Sequence, residues 1–590
     1  MPDRGFFTAT PMPTSSVDGR IPILVGITGH RDPVSAKRDA LEASVTGILG
    51  DIQRAAPNSP LVLLTPLARG CDRIAAHAAI RLRQARRELN VRVVAVLPLP
   101  LDDYRRDFAA DPSDAAEFEE LLGACDEVFV LPCCERVRKD EHGFVSAGPD
   151  RDLHYRRLGL YLALQSHLMV AMWNVVRNGK VGGTAEVVDF CLGRRPRDFN
   201  SGIPFRRASL LLAAPDTTPV LCIPTLRESV PDLVDSGLSP ASGGLSTGVR
   251  SDIRDLEMIN VGLLRTKRSA RRPEMFEIPV PEAVDAPWKV LEDRFLRLDA
   301  LAQEGKKLHV RCTLWIASIA AAGVCSFQWF SSYAGGYPRQ AWISLVAYVA
   351  LFVVAVLLWW YSVRVRRVEW TFVHARALAE AMRVQIAWCG SGVDEIAPDQ
   401  YLARRQGDVR FLRNQLRAAL LECAIISSRG GIERGSEVGI RWAREQVSYF
   451  DPTARPMQRR LRNVRLQQIV VVLLSGAVGA FSLFLLVISI LEAARSEGSI
   501  DAWADAGCLS VGVSLALAVA FGYWRDVMLD GEDLESAARM RQVFEQACGL
   551  LARDPESARE VLRALGKEAL DEHADWFSRH REKLRIPEAG

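Results

Sequence analysis

The sequence predicts two architectures in one chain. An N-terminal α/β domain, a doubly wound parallel sheet, precedes an all-α membrane region with four transmembrane helices in two hairpins. Two observations carry this prediction. Residues 21–193 alternate short apolar runs with helical patterns, as parallel βαβ units do. Further on, four windows hold no charge over lengths near the roughly 20 residues that cross a bilayer. Composition agrees. The 590 residues are 49% hydrophobic and 25% charged, with a mean hydropathy of +0.04. That hydropathy is high for so charged a chain, so the apolar excess must be concentrated, and a mostly disordered chain is excluded. A net charge of +3 gives no global basic field, and no nucleic-acid partner is expected. Twelve cysteines, none in a CxxC pair, are too sparse for a disulfide scaffold and lack zinc spacing. They read as reduced thiols, and neither a metal nor a resident cofactor is expected.

Residues 1–20 begin MPDRGFFTATPMPTSS, without an apolar core of signal-peptide length, and read as a disordered cytoplasmic tail. The α/β domain follows over 21–230. Its strand candidates are Ile21–Ile27, Leu61–Leu64, Val91–Leu97, Val128–Leu131 and Leu168–Trp173. Helices are expected between them, at Val34–Leu49, Cys71–Leu89, Ala115–Cys125 and Leu153–Gln165. Residues 231–285 read as a linker, because DSGLSPASGGLSTG (235–248) is rich in Ser and Gly.

Residues 286–465 combine cytoplasmic helices with the first hairpin. Leu291, Phe295, Leu298 and Leu301 recur at spacings of four and three, an amphipathic helix running into the first span. That span covers about 312–330 and the second about 341–363. Charged helices are expected at Val368–Trp388, Tyr401–Ser427 and Ile440–Phe450. Residues 466–590 supply spans at about 469–491 and 506–524. Helices at Leu534–Leu551 and Glu556–Arg581 follow. KKLHVR, RVRR and RRLRNVR flank the spans on one side, whereas the loops SSYAGGYPRQ and EAARSEGSIDAWADAG carry few cations. The positive-inside rule then places both termini and Arg364–Arg465 in the cytoplasm of a multi-pass protein of the inner membrane. Trp329, Trp359, Trp360 and Trp524 sit near span ends, as an interfacial belt requires. No span contains Asp, Glu, Lys, Arg or His in its interior, which argues against a coupled transporter. One four-helix bundle fills its own centre, so a pore needs several copies of the chain.

Ligands of doubly wound sheets bind beyond the carboxyl ends of the strands. Three turns lie there. In Gly26-Ile-Thr28-Gly29-His30-Arg31, glycines allow close backbone approach and Thr28, His30 and Arg31 supply donors to an anion. The turn is not GxGxxG, so dinucleotide binding is not indicated. In Leu67-Ala-Arg-Gly70-Cys-Asp72-Arg73, Asp72 either faces a ligand or complements the helix dipole. In Gly182-Gly183-Thr184-Ala-Glu186, a glycine turn opens a helix and offers amides to phosphate or ribose, or is a plain capped helix start.

Together GITGHR (26–31), LARGCDR (67–73), VVAVLPLPLDDYRRDF (93–108) and GGTAEVVDF (182–190) resemble the SLOG superfamily, named from the Smf/DprA and LOG proteins. Those are Rossmann-like domains that bind nucleotides or nucleotide-derived ligands. The resemblance implies that Gly182, Gly183, Thr184 and Glu186 form the phosphate and ribose end. Gly26, Gly29, His30 and Arg31 would face them, with Asp72 and Arg73 nearby. The phosphoribohydrolase members carry Gly-Gly-x-Gly-Thr-x-x-Glu with a catalytic acid at its end. Here Glu186 follows Thr184 by two residues instead of three, which turns its carboxylate by about 100° around the helix. Binding is therefore expected rather than hydrolysis.

AEAMRVQIAWCGSGV (379–393) and WAREQVSYF (442–450) are similar to SLATT domains, bacterial membrane modules found beside or fused to SLOG domains. One span pair is usual there, and this chain has two. The resemblance implies a bacterial antiviral (conflict) effector in which a nucleotide-derived small molecule switches a membrane pore. The alternatives are a membrane-tethered nucleotide or N-glycoside hydrolase of LOG-like type, and a regulated channel with a housekeeping role.

Overall fold

The computed structural model describes residues 19–86, 89–133, 137–177, 179–194, 217–229, 245–269, 271–333, 338–362, 367–401, 410–432, 435–450 and 531–584, with four positions between 484 and 491. The chain divides into two compact units. The first takes residues up to Ala300 together with Ala377–Trp442 and Asp554–Ala574. The second takes Leu301–Arg376, Ala443–Arg553 and the residues from Asp575 onward.

The first unit is built on a six-stranded sheet in the order β4-β3-β2-β1-β5-β6, with every pairing parallel. Its strands are β1 Ile23–Gly29, β2 Leu61–Thr65, β3 Val91–Leu97, β4 Glu127–Val130, β5 Leu168–Trp173 and β6 Val220–Pro224. Helices α1 Arg38–Ala55, α2 Cys71–Ala85, α3 Leu101–Arg105, α4 Pro112–Ala124, α5 Pro149–Gln165, α6 Thr184–Cys191 and α7 Thr247–Arg265 accompany them. All residues of β2 and β5 are buried. A parallel sheet covered on both faces demands such unbroken apolar runs. The order reverses between β1 and β5, the switch point at which doubly wound sheets bind their ligands.

The strands from Leu61 and Leu168 stand where the apolar pattern places them. The first strand does not: it starts at Ile23 and runs on to Gly29. Ile21 is held instead by Asn260 of α7, whose Oδ1 accepts the Ile21 amide (2.9 Å) and whose Nδ2 donates to the Ile21 carbonyl (2.9 Å). Two elements had no sequence signal strong enough to declare them. β6, VLCIP, is short and ends on a proline, and only its pairing with β5 makes it a strand. α7 occupies the stretch expected as linker, so residues 231–285 are not one connector. Ser246 caps α7 by accepting the Val249 amide, and Val249, Ile253, Leu256, Ile259 and Leu263 form its buried face. The expected boundary at 230 therefore cuts through a unit that also needs α7 and more distant helices.

Those helices begin with α8 Glu282–Tyr333 and α9 Pro338–Trp360, followed by α10 Val368–Gly390 and α11 Ala397–Gln400. The rest are α12 Arg410–Ala419, α13 Leu421–Ser428, α14 Gly435–Phe450, α15 Gly531–Arg553 and α16 Ala558–Leu584. The single helix expected over 401–427 is replaced by α12 and α13, which meet at Leu420. In the first unit Leu291, Phe295 and Leu298 of α8 are at most 1% exposed, as the spacing predicts. Arg294 on the same helix donates to both Glu422 oxygens (2.6 and 3.2 Å), to the Ala419 carbonyl (2.6 Å) and to the Arg20 carbonyl (3.1 Å). Arg429 reaches Glu127 at the sheet edge (2.5 Å).

In the second unit, the apolar end of α8 pairs antiparallel with α9. Ser326 Oγ donates to the Ser344 carbonyl (2.9 Å) and the Phe327 and Tyr348 rings lie 5.1 Å apart. Both helices are long and apolar enough to cross a membrane, and their apolar windows are only 11% and 6% buried. A soluble core helix would be mostly covered. The antiparallel register sets Trp315 level with Trp359 and Trp360, and Trp329 level with Trp342, and all five are exposed. At 1.5 Å per residue the two rings of Trp are about 21 Å apart along α8 and about 26 Å along α9. The windows at 469–491 and 506–524 lie outside the described residues, apart from Phe484, Val487, Ile488 and Leu491, which are helical.

Arg294→Ala should strand the Glu422 carboxylate in the interior and destabilise the first unit by about 3–5 kcal/mol. Thermal unfolding of the full chain in detergent reads this. Arg294→Met combined with Glu422→Leu should recover most of the loss, and an unchanged melting temperature in the single variant would refute a structural role for the pair.

Candidate functional site

The switch point between β1 and β5 is shaped by close backbone approaches. Gly29 lies against Cys71 Cβ and within 3.0 Å of Met172 Cβ, measured from where its own Cβ would stand. Its carbonyl accepts the Thr184 hydroxyl (2.9 Å), so the start of α6 is fastened to the end of β1. The His30 amide donates to the Met172 carbonyl (3.1 Å), and the Cys71 amide to the His30 carbonyl (3.0 Å). Gly70 has φ +85°, and a Cβ there would stand 2.6 Å from the His30 and Arg31 carbonyl oxygens. Beyond Arg31 the loop is anchored by Asp32, which pairs with Arg227 (2.8 Å) and accepts from Ser229 (2.5 Å).

Arg31 is exposed at this rim, its guanidinium 5.2 Å from the Tyr155 ring centroid. Among the described residues it has no ion-pair partner. Two carboxyls lie within its field. Burial pushes the Asp72 carboxyl up to about 8, against the opposing pull of Arg31 and Arg73, and Asp72 Oδ1 has no hydrogen-bond partner. Burial also raises Asp107, against Arg151 and Arg31; its Oδ2 and the Tyr155 hydroxyl are likewise buried without partners. Burial lowers His30, whose Nε2 lies 2.8 Å from Asn174 Oδ1, and so favours the neutral imidazole. Two non-glycine residues at the strand exits have positive φ: Leu67 at 55° and Val175 at 67°. For a β-branched residue this is a strained conformation. The rim thus combines an uncompensated cation, unsatisfied buried polar atoms and backbone strain.

The structure brings Gly29, His30, Arg31, Gly70, Asp72, Gly182, Gly183 and Thr184 to this rim. Four other candidates serve different ends. Gly26 lies within β1 between Leu64 and Met169, and its missing Cβ makes room for Ser166 and Met169. Thr28 is a buried strand residue. Arg73 is fully buried and pairs with Asp114 (2.5 Å) and Glu117 (3.1 Å), with its guanidinium 4.7 Å from the Phe108 ring centroid. It fastens α2 to α4. Glu186 Oε1 pairs with Arg156 (2.9 Å), and Glu186 Oε2 accepts the Gly182 amide (2.6 Å). Its carboxylate closes the glycine turn. Asp107, Tyr155 and Val175 were not singled out by sequence. Asp107 stands inside the VVAVLPLPLDDYRRDF run, but Tyr155 is an unremarked aromatic on α5 that only the fold brings beside Arg31. Among the described residues no three His, Cys, Asp or Glu side chains converge to hold a metal ion.

No family model matches this chain, and no curated protein matches it either.

Gly182 is the glycine that the turn requires. It has φ +69°, and a Cβ there would stand 2.5 Å from Tyr155 Cβ, whereas Gly183 has φ −85° and a Cβ there would approach Lys180, nearest its carbonyl oxygen at 3.2 Å. Gly182→Ala should therefore cost more than 1 kcal/mol, and Gly183→Ala less. Equal melting temperatures for the two variants would contradict this ranking.

Asp72 makes stability depend on pH. Folded, it keeps its proton up to about pH 8; unfolded, it releases it near 3.9. Between those values the folded state binds more protons, so stability falls as pH rises. Asp72→Asn removes that loss, and its advantage over the parent should widen between pH 5 and 8 by up to about 1.4 kcal/mol per unit. Parallel stability curves would mean that Asp72 is already ionised in the folded protein.

Proposed function

We propose that this chain is a ligand-gated membrane effector. Its α/β unit binds a nucleotide-derived anion at the rim between β1 and β5, and its apolar helices insert in the inner membrane and form a pore from several copies. Both termini lie in the cytoplasm in this reading. The observation that carries it is Arg31, an exposed cation without an ion-pair partner among the described residues, placed at the switch point of a doubly wound sheet. A phosphate there would gain charge-assisted hydrogen bonds from the guanidinium and from the helix start at Thr184. The matched Trp levels at both ends of the α8–α9 hairpin support insertion, since indoles favour the interface. The SLOG and SLATT resemblance supplies the antiviral setting. A housekeeping channel would share the same mechanics and differ in its ligand.

The hydrolase alternative needs a free acid near the ligand. Glu186 is a poor one, because both of its oxygens are engaged by Arg156 and the Gly182 amide. Loss of that carboxylate would loosen the turn rather than remove a proton donor.

Calorimetry with nucleotide monophosphates, cyclic nucleotides and dinucleotides, alongside leakage of dye from liposomes holding the full chain, tests the proposal. A ligand that binds should also release dye. Arg31→Ala should weaken binding more than tenfold, as loss of a charge-assisted bond worth about 1.5–3 kcal/mol predicts. A change below twofold would remove Arg31 from the site. Multiple-turnover release of free base or ribose phosphate by the parent protein, lost in Glu186→Gln, would replace the sensor by the hydrolase.

A further inference from the structure

The helix entering the first apolar span carries an exposed stripe that the sensor reading does not use. Lys307, Arg311 and Trp315 follow one another at intervals of four residues on α8, so they share one face. Trp329 falls on the same face three to four turns on. Trp315 is 64% exposed, and Lys307 and Arg311 are exposed as well. Neither cation has an ion-pair partner among the described residues. This sets them apart from many arginines of the chain, including Arg294, Arg417 and Arg429, which are each engaged by a carboxylate. The opposite side of α8 is spent on its neighbours: Gly305 meets Phe372 of α10, and Gly323 lies 3.6–3.8 Å from Leu351 and Tyr348 of α9.

Geometry fixes what this stripe can meet. Trp315 shares its level with Trp359 and Trp360 at one end of the hairpin, and the apolar stretch begins there. If indoles mark the edge of the hydrocarbon, Arg311 stands about 6 Å beyond it and Lys307 about 12 Å. The headgroup layer is about 5–8 Å thick on each side, so Arg311 stands within it and Lys307 just outside, where its long side chain can reach back to the headgroups. Two unpaired cations at these depths, on a face that is apolar one turn further in, complement a lipid with a net negative headgroup. A soluble anion would need a concave site, whereas this face is convex and open.

We propose that Lys307, Arg311 and Trp315 form a binding site for the headgroup of a net-anionic phospholipid such as phosphatidylglycerol, at the cytoplasmic end of the first hairpin. The inference rests on the membrane reading of α8 and α9 but not on the ligand of the α/β unit. The lipid phosphate pairs with Arg311, Lys307 reaches the outer headgroup, and Trp315 packs along the upper acyl chain. Basic residues at such a surface raise the local preference for anionic lipid by about fivefold each at low salt.

The test reconstitutes the full chain in phosphatidylcholine vesicles and measures spin-labelled phosphatidylglycerol against spin-labelled phosphatidylcholine at the protein surface. The parent should prefer phosphatidylglycerol, and the preference should fall with salt. Lys307→Gln with Arg311→Gln should bring it close to that of phosphatidylcholine, whereas Lys307→Arg with Arg311→Lys should keep most of it. Carbonate extraction is run on every variant. A carbonate-resistant glutamine variant with undiminished lipid preference overturns the headgroup site and leaves the membrane reading standing. Parent protein that carbonate releases from vesicles overturns both.

Discussion

The close approach of three strand exits around Gly29 is the constraint on which the candidate site depends. A side chain at that position would push away Cys71 of α2 and Met172 of β5. With hydrogen there, the end of β1 is near enough for the Thr184 hydroxyl to reach its carbonyl. The loops after β1, β2 and β5 then share one small set of backbone hydrogen bonds. Arg31 is presented by that set rather than by its own rotamer preference. Gly70 extends the same logic, because its positive φ lets the start of α2 lie directly against the carbonyls of His30 and Arg31. The glycine turn before α6 is held from the other side by Glu186 and Arg156. Each glycine is required by a specific neighbour, which is a stronger statement than that loops favour glycine.

The sheet was largely legible, because buried parallel strands write short unbroken apolar runs, and here these alternate with helical patterns. Val91–Leu97 and Leu168–Trp173 stand where those runs do. β6 was not legible, since five residues ending in proline carry no period, and its pairing partner lies some fifty residues back. α7 was hidden by the Ser- and Gly-rich stretch before it, although its hydrophobic spacing is regular once Ser246 is seen as its cap. The site was half legible. Glycines and charges after strands can be read from order alone, but whether a charge faces the rim or the core depends on which neighbour it meets. Arg73 and Arg31 look alike in sequence. The first is buried against Asp114 and Glu117 of α4, and the second is exposed over the face of Tyr155. Spacing alone gives no hint that Glu186 is tied to Arg156 and to the Gly182 amide, because both partners come from outside its own helix.

The two long apolar helices are legible for a different reason. The absence of charge over a long helix is a property of composition and survives ignorance of tertiary contacts. What the sequence does not state is level. Trp315 and Trp342 gain meaning only when the antiparallel register sets them beside Trp359, Trp360 and Trp329. The two rings of indoles stand slightly closer together than the thickness of a hydrocarbon core, a spacing that neither helix shows alone.

A sensor must bind its ligand with different affinity in two states, for a ligand that binds both equally shifts nothing. The rim holds groups whose present arrangement is unfavourable and which a ligand could relieve. Asp72 carries a proton because its pocket disfavours the carboxylate, with one oxygen unsatisfied. Val175 holds a backbone conformation that β-branched residues avoid. Such features are costly, and the surrounding fold must over-determine them to keep them. They collect at the exits of β1, β2 and β5, whereas the strands themselves are apolar and fully buried. Local rules that hold along the strands and fail at their ends mark the ends as the part of this unit that stability alone does not explain.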